Sequence, residues 1–400
     1  MQSVQTSIRR QDVDWLRVLL FGGLIAYHLG LLYAPWSPYA LKSAHTRAWV
    51  EGVLLATHPW RMPILFLISG IACRFAIGKL GAGRLLATRT RQLLPPLLFG
   101  VAVLVPIQTY LSVVDNLGYQ KHFLAYLPEL FLGGHTVSVN GRLVRLDTYA
   151  HLWFILYLWA YVIVLAAASR AAPRWLPWAE ARLEKLLDGP GMIAWPMALL
   201  IALRIALYPR FGLTLGFVDD WYNHALSLSM FLFGFVVARN DRLWARLEWL
   251  RWAALILAVA SWVGYACLWG GHGAPEGVEK AKPFMHPLYA MEQWTAIVAV
   301  LGFGHRWLKR ESRAIRYLNG GIFTYYVIHQ PAMLLVLHLV KPAGLHGGLE
   351  ALVVLGGTVT MCALAYEGAR NLGWAGALVG ARGGRRGAPA PAPRVAPAAG

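Results

Sequence analysis

DWLRVLLFGGLIAYH, from Asp14 to His28, is the first long apolar run of the chain. Arg17 stands near its start and His28 at its end. An ionisable side chain in hydrocarbon costs on the order of 3 kcal/mol, so such residues are rare there unless they serve a function. Arg17 and His28 are about three helical turns and roughly 16 Å apart, on nearly the same helix face. With 13 His and 37 Lys and Arg in the chain, chance can supply such a pair, so its context matters.

The composition around this run indicates a membrane protein. The chain is 58% hydrophobic and 14% charged, whereas soluble domains are typically about 25% charged. Its 18 Trp and 17 Tyr suit two interfacial aromatic belts. The net charge of +18 does not indicate nucleic acid, because a basic nucleic-acid domain is not this apolar. The three scattered cysteines predict neither a disulfide framework nor a metal site.

Ten apolar spans can be placed along the chain, most of them close to the ~20 residues that a transmembrane helix needs. They are roughly 15–35, 60–77, 93–114, 151–169, 192–208, 222–238, 250–270, 287–305, 322–340 and 349–369. Backbone groups in lipid must be paired internally, which favours helices. The sequence therefore predicts an all-α polytopic membrane protein with about ten transmembrane helices. We expect one membrane domain over 1–372 and a disordered cytoplasmic tail over 373–400.

The basic residues sort between alternate loops and predict the orientation of the chain. The set that holds 26 of the 37 Lys and Arg comprises the N-terminus, 74–91, 170–185, 239–251, 305–316 and 370–400. Loops on the cytoplasmic side are the basic ones. We therefore expect a multi-pass protein of a bacterial-type inner membrane with both termini in the cytoplasm, where the excess charge also attracts anionic lipid or a cytoplasmic anion.

Two connecting segments have patterns of their own. The outer loop 115–150 contains Asn140-Gly141, a turn signal that predicts a short hairpin. Segment 174–191 carries Leu183, Leu186 and Leu187 beside basic residues, which predicts a short amphipathic helix.

Several arginines are candidate site residues. Arg74, Arg89 and Arg91 flank one predicted cytoplasmic mouth, and guanidinium groups bind phosphate in bidentate fashion. Ordinary charge flanking of the membrane explains the same pattern. Arg204 lies deep in the fifth span and needs a partner such as Glu292 or Asp219. It is either half of an ion pair that pins two helices together or a substrate contact.

Several stretches, in order, resemble the membrane-bound acyltransferase-3 family and particularly its glucan-succinylating branch. They are Asp14-Trp-Leu-Arg17 followed after ten residues by His28, Arg61-Met-Pro63 through Ser69-Gly70, Arg89-Thr-Arg91-Gln-Leu-Leu-Pro-Pro96, His151-Leu-Trp153-Phe154, and Tyr325-Tyr326-Val-Ile-His329-Gln-Pro331. Together they span residues 14–331. Gln92 departs from the family pattern, in which a second basic residue often stands at this position.

The resemblance implies acyl transfer from a cytoplasmic acyl-CoA to a hydroxyl of a glucan or other exported carbohydrate. A neutral imidazole such as that of His28 can take the hydroxyl proton during attack on the thioester. The CoA phosphates or the developing oxyanion would be neutralised by Arg17, Arg74, Arg89 and Arg91. Arg17 would also orient the donor. His329 is a further candidate for the site. Asp14 either fixes Arg17 or caps the first helix, since Asp is a common N-cap residue.

Other functions fit parts of the pattern. A transporter or flippase would use intramembrane Arg and His to move an anionic or lipid-linked substrate, and a membrane scaffold would use the same residues structurally. Three histidines near the outer face are candidates to meet an acceptor: His135, His151 and His224. The sequence does not choose among them, nor among acetyl, succinyl and longer acyl groups.

Overall fold

The structure is a computed structural model that describes residues 10–35, 40–270 and 275–381. The helices are α1 (Gln11–Tyr33), α2 (Ala48–Leu55), α3 (His58–Phe99), α4 (Val105–Leu117), α5 (Phe123–Leu132), α6 (Trp153–Ala171), α7 (Trp175–Leu186), α8 (Gly191–Ala206), α9 (Tyr208–Phe211), α10 (Trp221–Val237), α11 (Asp241–Gly270), α12 (Pro275–Trp307), α13 (Arg313–Val340) and α14 (Gly347–Asn371). Shorter elements are a π-turn (Gly100–Leu104), the strands β1 (Thr136–Val139) and β2 (Arg142–Arg145), and 3-10 segments at Ala150–Leu152, Lys341–Ala343 and Gly373–Val379.

The prediction of an all-α polytopic membrane protein is confirmed. Within the described chain, 7 helical runs are long and apolar enough to cross a membrane. One of them, Ala48–Leu117, contains both the second and the third predicted span. The helix α10 is apolar but shorter, at 17 residues. The count of ten transmembrane helices therefore stays a prediction, whereas the all-α membrane fold class is confirmed.

The long helix α3 changes direction at Gly81. The backbone there has φ 74° and ψ 163°, a conformation that residues with a Cβ rarely adopt and glycine adopts without steric cost. The residues before Gly81 carry Ser69 and Cys73, and those after it carry Arg89 and Arg91. This bend allows one helix to present two sets of side chains to the same space.

Small residues let α3 and α10 cross at backbone contact. A Cβ on Gly70 would overlap the carbonyl oxygen of Phe231, and one on Gly234 would overlap that of Leu67. Such close approach is how helices associate in lipid, where burial of apolar side chains supplies little driving force. The packing holds the first half of α3 at the centre of the bundle, where Phe66 is fully buried.

The two patterned connections have the predicted secondary structure. β1 and β2 pair antiparallel, and Asn140 and Gly141 both have positive φ, as a two-residue type I′ hairpin requires. The predicted amphipathic helix is α7, none of whose described residues is fully buried. Its position on the membrane surface stays a prediction.

Candidate active site

A cavity of about 410 Å³ lies between α1, α3, α6, α13 and the chain after α14. This volume is within the ~300–1,000 Å³ range of small-molecule sites. Its polar lining consists of Arg17, Ser69, Arg89, Arg91, Gln92 and Asn319. We call this space the arginine cavity.

The arginine cavity is strongly cationic. Three of its lining side chains are arginines, and none of its described lining residues is Asp or Glu. Two of these arginines contact neutral amides within the cavity: Arg17 Nη1 donates to Asn319 Oδ1 at 3.4 Å and Arg89 Nη1 to Gln92 Oε1 at 3.2 Å. Guanidinium groups clustered without a carboxylate among the lining residues favour an anionic ligand.

The other part of the lining of the arginine cavity is apolar. It is formed by Phe21, Phe154, Leu158, Val162, Ile322 and Phe323. The buried thiol of Cys73 also faces this space. A ligand with both anionic groups and an apolar chain would match this lining.

The chain after α14 closes one side of the arginine cavity. Gly373, Ala377, Gly380 and Ala381 all contribute to the lining. Gly380 has a φ of 75°, and a Cβ there would overlap the ring of Phe323. The predicted tail boundary at 372 is therefore wrong, because residues 373–381 pack against the helices. Residues 382–400, the rest of that tail, lie outside the described residues.

Three histidines meet deeper along α1, and we call them the histidine cluster: His28, His151 and His329. His28 Nδ1 lies 2.8 Å from His329 Nε2, and these two rings stack with centroids 5.0 Å apart and planes 24° from parallel. The rings of His151 and His329 meet edge to face at 5.3 Å. The predicted residues His28 and His329 are thus in direct hydrogen-bond contact.

Pro331 explains how His151 joins this cluster. A proline in a helix has no N–H, so it leaves the carbonyl four residues earlier without its helical donor. That carbonyl belongs to Val327, and His151 Nε2 lies 3.1 Å from it. Tyr326 adds a second hydrogen bond between α13 and His151, because its hydroxyl donates to the backbone carbonyl of His151. The Tyr-x-x-His-x-Pro pattern therefore fixes both His151 and His329.

Tyr326 also separates the histidine cluster from the arginine cavity. Its ring lies 5.7 Å from that of Phe21 and 5.8 Å from that of Phe154, and both phenylalanines line the cavity. On its other side the ring is 5.7 Å from His151 and 5.9 Å from His329. The two candidate regions are therefore neighbours across one layer of aromatic rings.

The chain matches a known protein family over nearly its whole length. A family model described as an acyltransferase domain, that of acyltransferase-3, matches residues 10–367. The chain belongs to the acyltransferase-3 family. It is therefore an acyltransferase of a multi-pass membrane type. No curated protein and no solved structure matches the chain.

Of the predicted basic residues, the acyltransferase brings Arg17, Arg89 and Arg91 into one cavity but not Arg74. Arg74 Nη2 instead pairs with Glu180 of α7 at 2.8 Å. This ion pair ties the amphipathic helix to α3, which is a structural contact. The role of Arg74 in binding stays a prediction that no contact in the arginine cavity supports.

The predicted partners of Arg204 are wrong. Arg204 is buried and makes no ion pair with Glu292 or Asp219 within the described chain. Its guanidinium carbon lies 3.6 Å from the ring centroid of Tyr208 and 4.0 Å from that of Tyr289. Aromatic faces stabilise a buried cation, so the tyrosines replace the carboxylate that the sequence predicted.

The predicted N-cap role of Asp14 is also wrong. The helix α1 begins at Gln11 with Arg10 as its N-cap residue, which leaves Asp14 inside the first turns. The helix starts earlier because Asp12 is held by Arg10 at 2.6 Å and by His305 at 2.8 Å. The alternative that Asp14 fixes Arg17 stays a prediction.

The sequence did not point to Asn319 as a site residue, and it marked His151 only as a candidate to meet an acceptor, not as a partner of His28 and His329. Asn319 has no motif that marks it, and only the fold brings it to Arg17. His151 had a signal, because it begins the His-Leu-Trp-Phe stretch and Pro331 requires a donor for the carbonyl of Val327. His135 and His224 lie elsewhere: His224 contacts Tyr161 at 3.1 Å, and His135 lies beside Phe131.

Proposed function

We propose that this acyltransferase moves an acyl group from a cytoplasmic acyl-CoA to a hydroxyl of a glucan or another exported carbohydrate. The observation that carries the proposal is the arrangement along α1. Arg17 lies in the arginine cavity, and His28 lies about three turns further along the same helix, in the histidine cluster. A binding region and a proton-accepting region therefore lie in series.

The arginine cavity suits the donor. Acyl-CoA carries phosphates, which guanidinium groups bind with charge-assisted hydrogen bonds. Its pantetheine arm and acyl chain are less polar and match the apolar lining residues, which include Phe21 and Phe154. In this proposal Arg89 and Arg91 of α3 hold the phosphates, and Arg17 of α1 orients the donor.

The histidine cluster suits the chemistry. A carbohydrate hydroxyl is a poor nucleophile, and a neutral imidazole that takes its proton during attack contributes about 10²–10⁴-fold in rate. His28 is the base in this proposal. The oxyanion that forms on the thioester carbonyl requires a cation or hydrogen-bond donor beside the base; Arg17, about three turns from His28, orients the donor in this proposal and does not fill that role.

The acceptor side of the proposal rests on the predicted orientation. With the N-terminus of α1 in the cytoplasm, the donor arrives at Arg17 and the acceptor reaches His28 from the outer side. A carbohydrate that is modified on the far side of the membrane fits this polarity. The resemblance to the glucan-succinylating branch favours a glucan, with succinyl as the acyl group to test first.

The test is transfer of a labelled acyl group in proteoliposomes, together with mass spectrometry of surface and periplasmic glycans. We expect His28→Ala to abolish transfer to within background, whereas His346→Ala, on the cap of α14 and outside both regions, keeps it. Acylation that persists in a correctly inserted His28→Ala protein would contradict the assigned base. Accumulation of the carbohydrate inside proteoliposomes without any acyl donor would instead support a transporter.

A further inference from the structure

The hydrogen bonds of His329 determine which of its nitrogens carries a proton. Nδ1 of His329 lies 2.7 Å from the carbonyl oxygen of Tyr326 and 3.2 Å from that of Tyr325. A carbonyl oxygen only accepts hydrogen bonds, so Nδ1 must be the donor. In the neutral ring, Nε2 of His329 is then the acceptor.

The contact with His329 also determines which nitrogen of His28 carries a proton. Nε2 of His329 is 2.8 Å from Nδ1 of His28, and one of these two atoms must carry the hydrogen. Because His329 Nε2 is the acceptor, His28 Nδ1 is the donor. The lone pair of His28 is therefore on Nε2, the nitrogen that points away from His329.

The third histidine does not compete for this contact. Nε2 of His151 lies 3.1 Å from the Val327 carbonyl, and its Nδ1 lies 3.4 Å from Gln108 Nε2. Both nitrogens of His151 thus have partners of their own. His329 is completely buried, and the helix around Pro331 fixes its ring.

We propose that His329 is a positioning residue that holds His28 in the tautomer with Nδ1 protonated and the lone pair on Nε2. The proposal rests on the proposed function, since it assigns the orientation of the base in that reaction. His329 does for His28 what a carboxylate does for the histidine of a catalytic triad, but with a neutral ring as the acceptor.

The proton balance of the reaction follows from this tautomer. As the hydroxyl oxygen bonds to the thioester carbonyl carbon, its proton moves to His28 Nε2. The ring becomes an imidazolium, and its Nδ1–H still donates to His329 Nε2. When the carbon–sulfur bond breaks, the thiolate of CoA takes the proton from Nε2, and His28 returns to its starting tautomer.

Two substitutions at position 329 separate orientation from packing. His329→Leu fills much of the volume but offers no acceptor, and His329→Gln places an amide oxygen close to the former Nε2. We expect His329→Leu to lower kcat by about 10²-fold, since loss of the correct tautomer costs up to ~10⁴ in other enzymes. His329→Gln should recover at least about tenfold of that loss, and the KM for acyl-CoA should stay within about threefold in both.

A measurement on the unchanged protein covers the case in which these variants fail to fold. Long-range proton–nitrogen correlation spectra of ¹⁵N-histidine-labelled protein distinguish the two neutral tautomers, and His28→Gln identifies the His28 signals. We expect His28 with Nδ1 protonated and Nε2 unprotonated. A neutral His28 with the proton on Nε2 overturns the proposal.

The outcomes also separate this inference from the proposed function. If His28→Ala is inactive but His329→Leu keeps kcat within about threefold, the positioning role is wrong and the assignment of His28 as the base stands. If His28→Ala is fully active, the assigned base is wrong whatever the tautomer.

Discussion

The arginine cavity leaves about 410 Å³ of space between its side chains, whereas in the histidine cluster His28 and His329 are in hydrogen-bond contact at 2.8 Å. The arginines of the cavity have long, cationic side chains, and those of Arg17 and Arg89 donate to neutral amides. Those of the cluster are rigid rings, each fixed by backbone carbonyls or by another ring. The two regions share α1 and the aromatic layer around Tyr326.

This difference teaches how one bundle can divide binding from proton transfer. Charge recognition tolerates adjustable side chains, because phosphate presents several equivalent oxygens. Proton transfer requires a fixed atom in a fixed tautomer, because a misplaced base loses orders of magnitude in rate. Substitutions in the cavity should therefore change affinity, and substitutions in the cluster should change turnover.

The largest effect expected on the cavity side comes from Arg89 and Arg91. Hydrogen bonds to charged groups contribute about 1.5–3 kcal/mol each, so the double variant Arg89→Ala/Arg91→Ala should weaken CoA binding by about 10²-fold or more. Titration calorimetry with CoA measures this, and kcat at saturating acyl-CoA should fall much less.

Arg84→Ala is the matched control for this pair. Arg84 is on the same helix, is exposed and does not line the cavity, so its removal changes the net charge but not the site. Equal losses of affinity in Arg84→Ala and in the double variant would mean that overall charge attracts CoA and that the arginine cavity is not its site.

Cys73 provides a smaller and more local probe of the same cavity. Its thiol lines the space, and the exposed Cys267 can be replaced by Ser to remove background labelling. CoA at ten times its Kd should slow alkylation of Cys73 by iodoacetamide about tenfold, since only the unoccupied fraction reacts. Mass spectrometry of the labelled peptide measures the rate.

The contradicting outcome is an alkylation rate that CoA leaves unchanged. In that case CoA binds elsewhere, and the cavity serves another anion. In the Arg89→Ala/Arg91→Ala background the same protection should require correspondingly more CoA, which ties the two predictions to one site.

Sequence patterns predicted the parts of this molecule that depend on local composition. The apolar spans gave the helical membrane fold, Asn140-Gly141 gave the hairpin, and the Arg17 to His28 spacing lay on one helix as helical geometry requires. The sequence placed Arg89 and Arg91 at one cytoplasmic mouth. That they share a cavity with Arg17 depends on the bend of α3 at Gly81, which the sequence did not predict.

Contacts between distant segments were out of reach of sequence patterns. The rings around Arg204 come from three helices and belong to Tyr208, Tyr222 and Tyr289, so a carboxylate partner was the reasonable but wrong expectation. The short sequence after Gly373 is rich in Gly and Ala, which is typical of a disordered tail, and yet small residues are what allow it to pack against Phe323. The contact of His28 with His329 joins residues about 300 positions apart.

The smallest predicted effect tests whether the rigidity of the histidine cluster depends on Pro331. In Pro331→Ala the restored N–H bonds to the Val327 carbonyl and weakens the hold on His151. A proline inside a helix costs roughly 3 kcal/mol, so the variant should be more stable, yet kcat should fall about three- to tenfold while CoA affinity stays the same.

Pro196→Ala in α8, another helix-interior proline outside both regions, should raise the unfolding temperature without the loss of kcat. Thermal unfolding and steady-state transfer assays measure both quantities. If Pro331→Ala gains stability and keeps full kcat, the contact of the Val327 carbonyl with His151 does not affect turnover. The rigidity of His28 and His329 then has to come from their own hydrogen bonds alone.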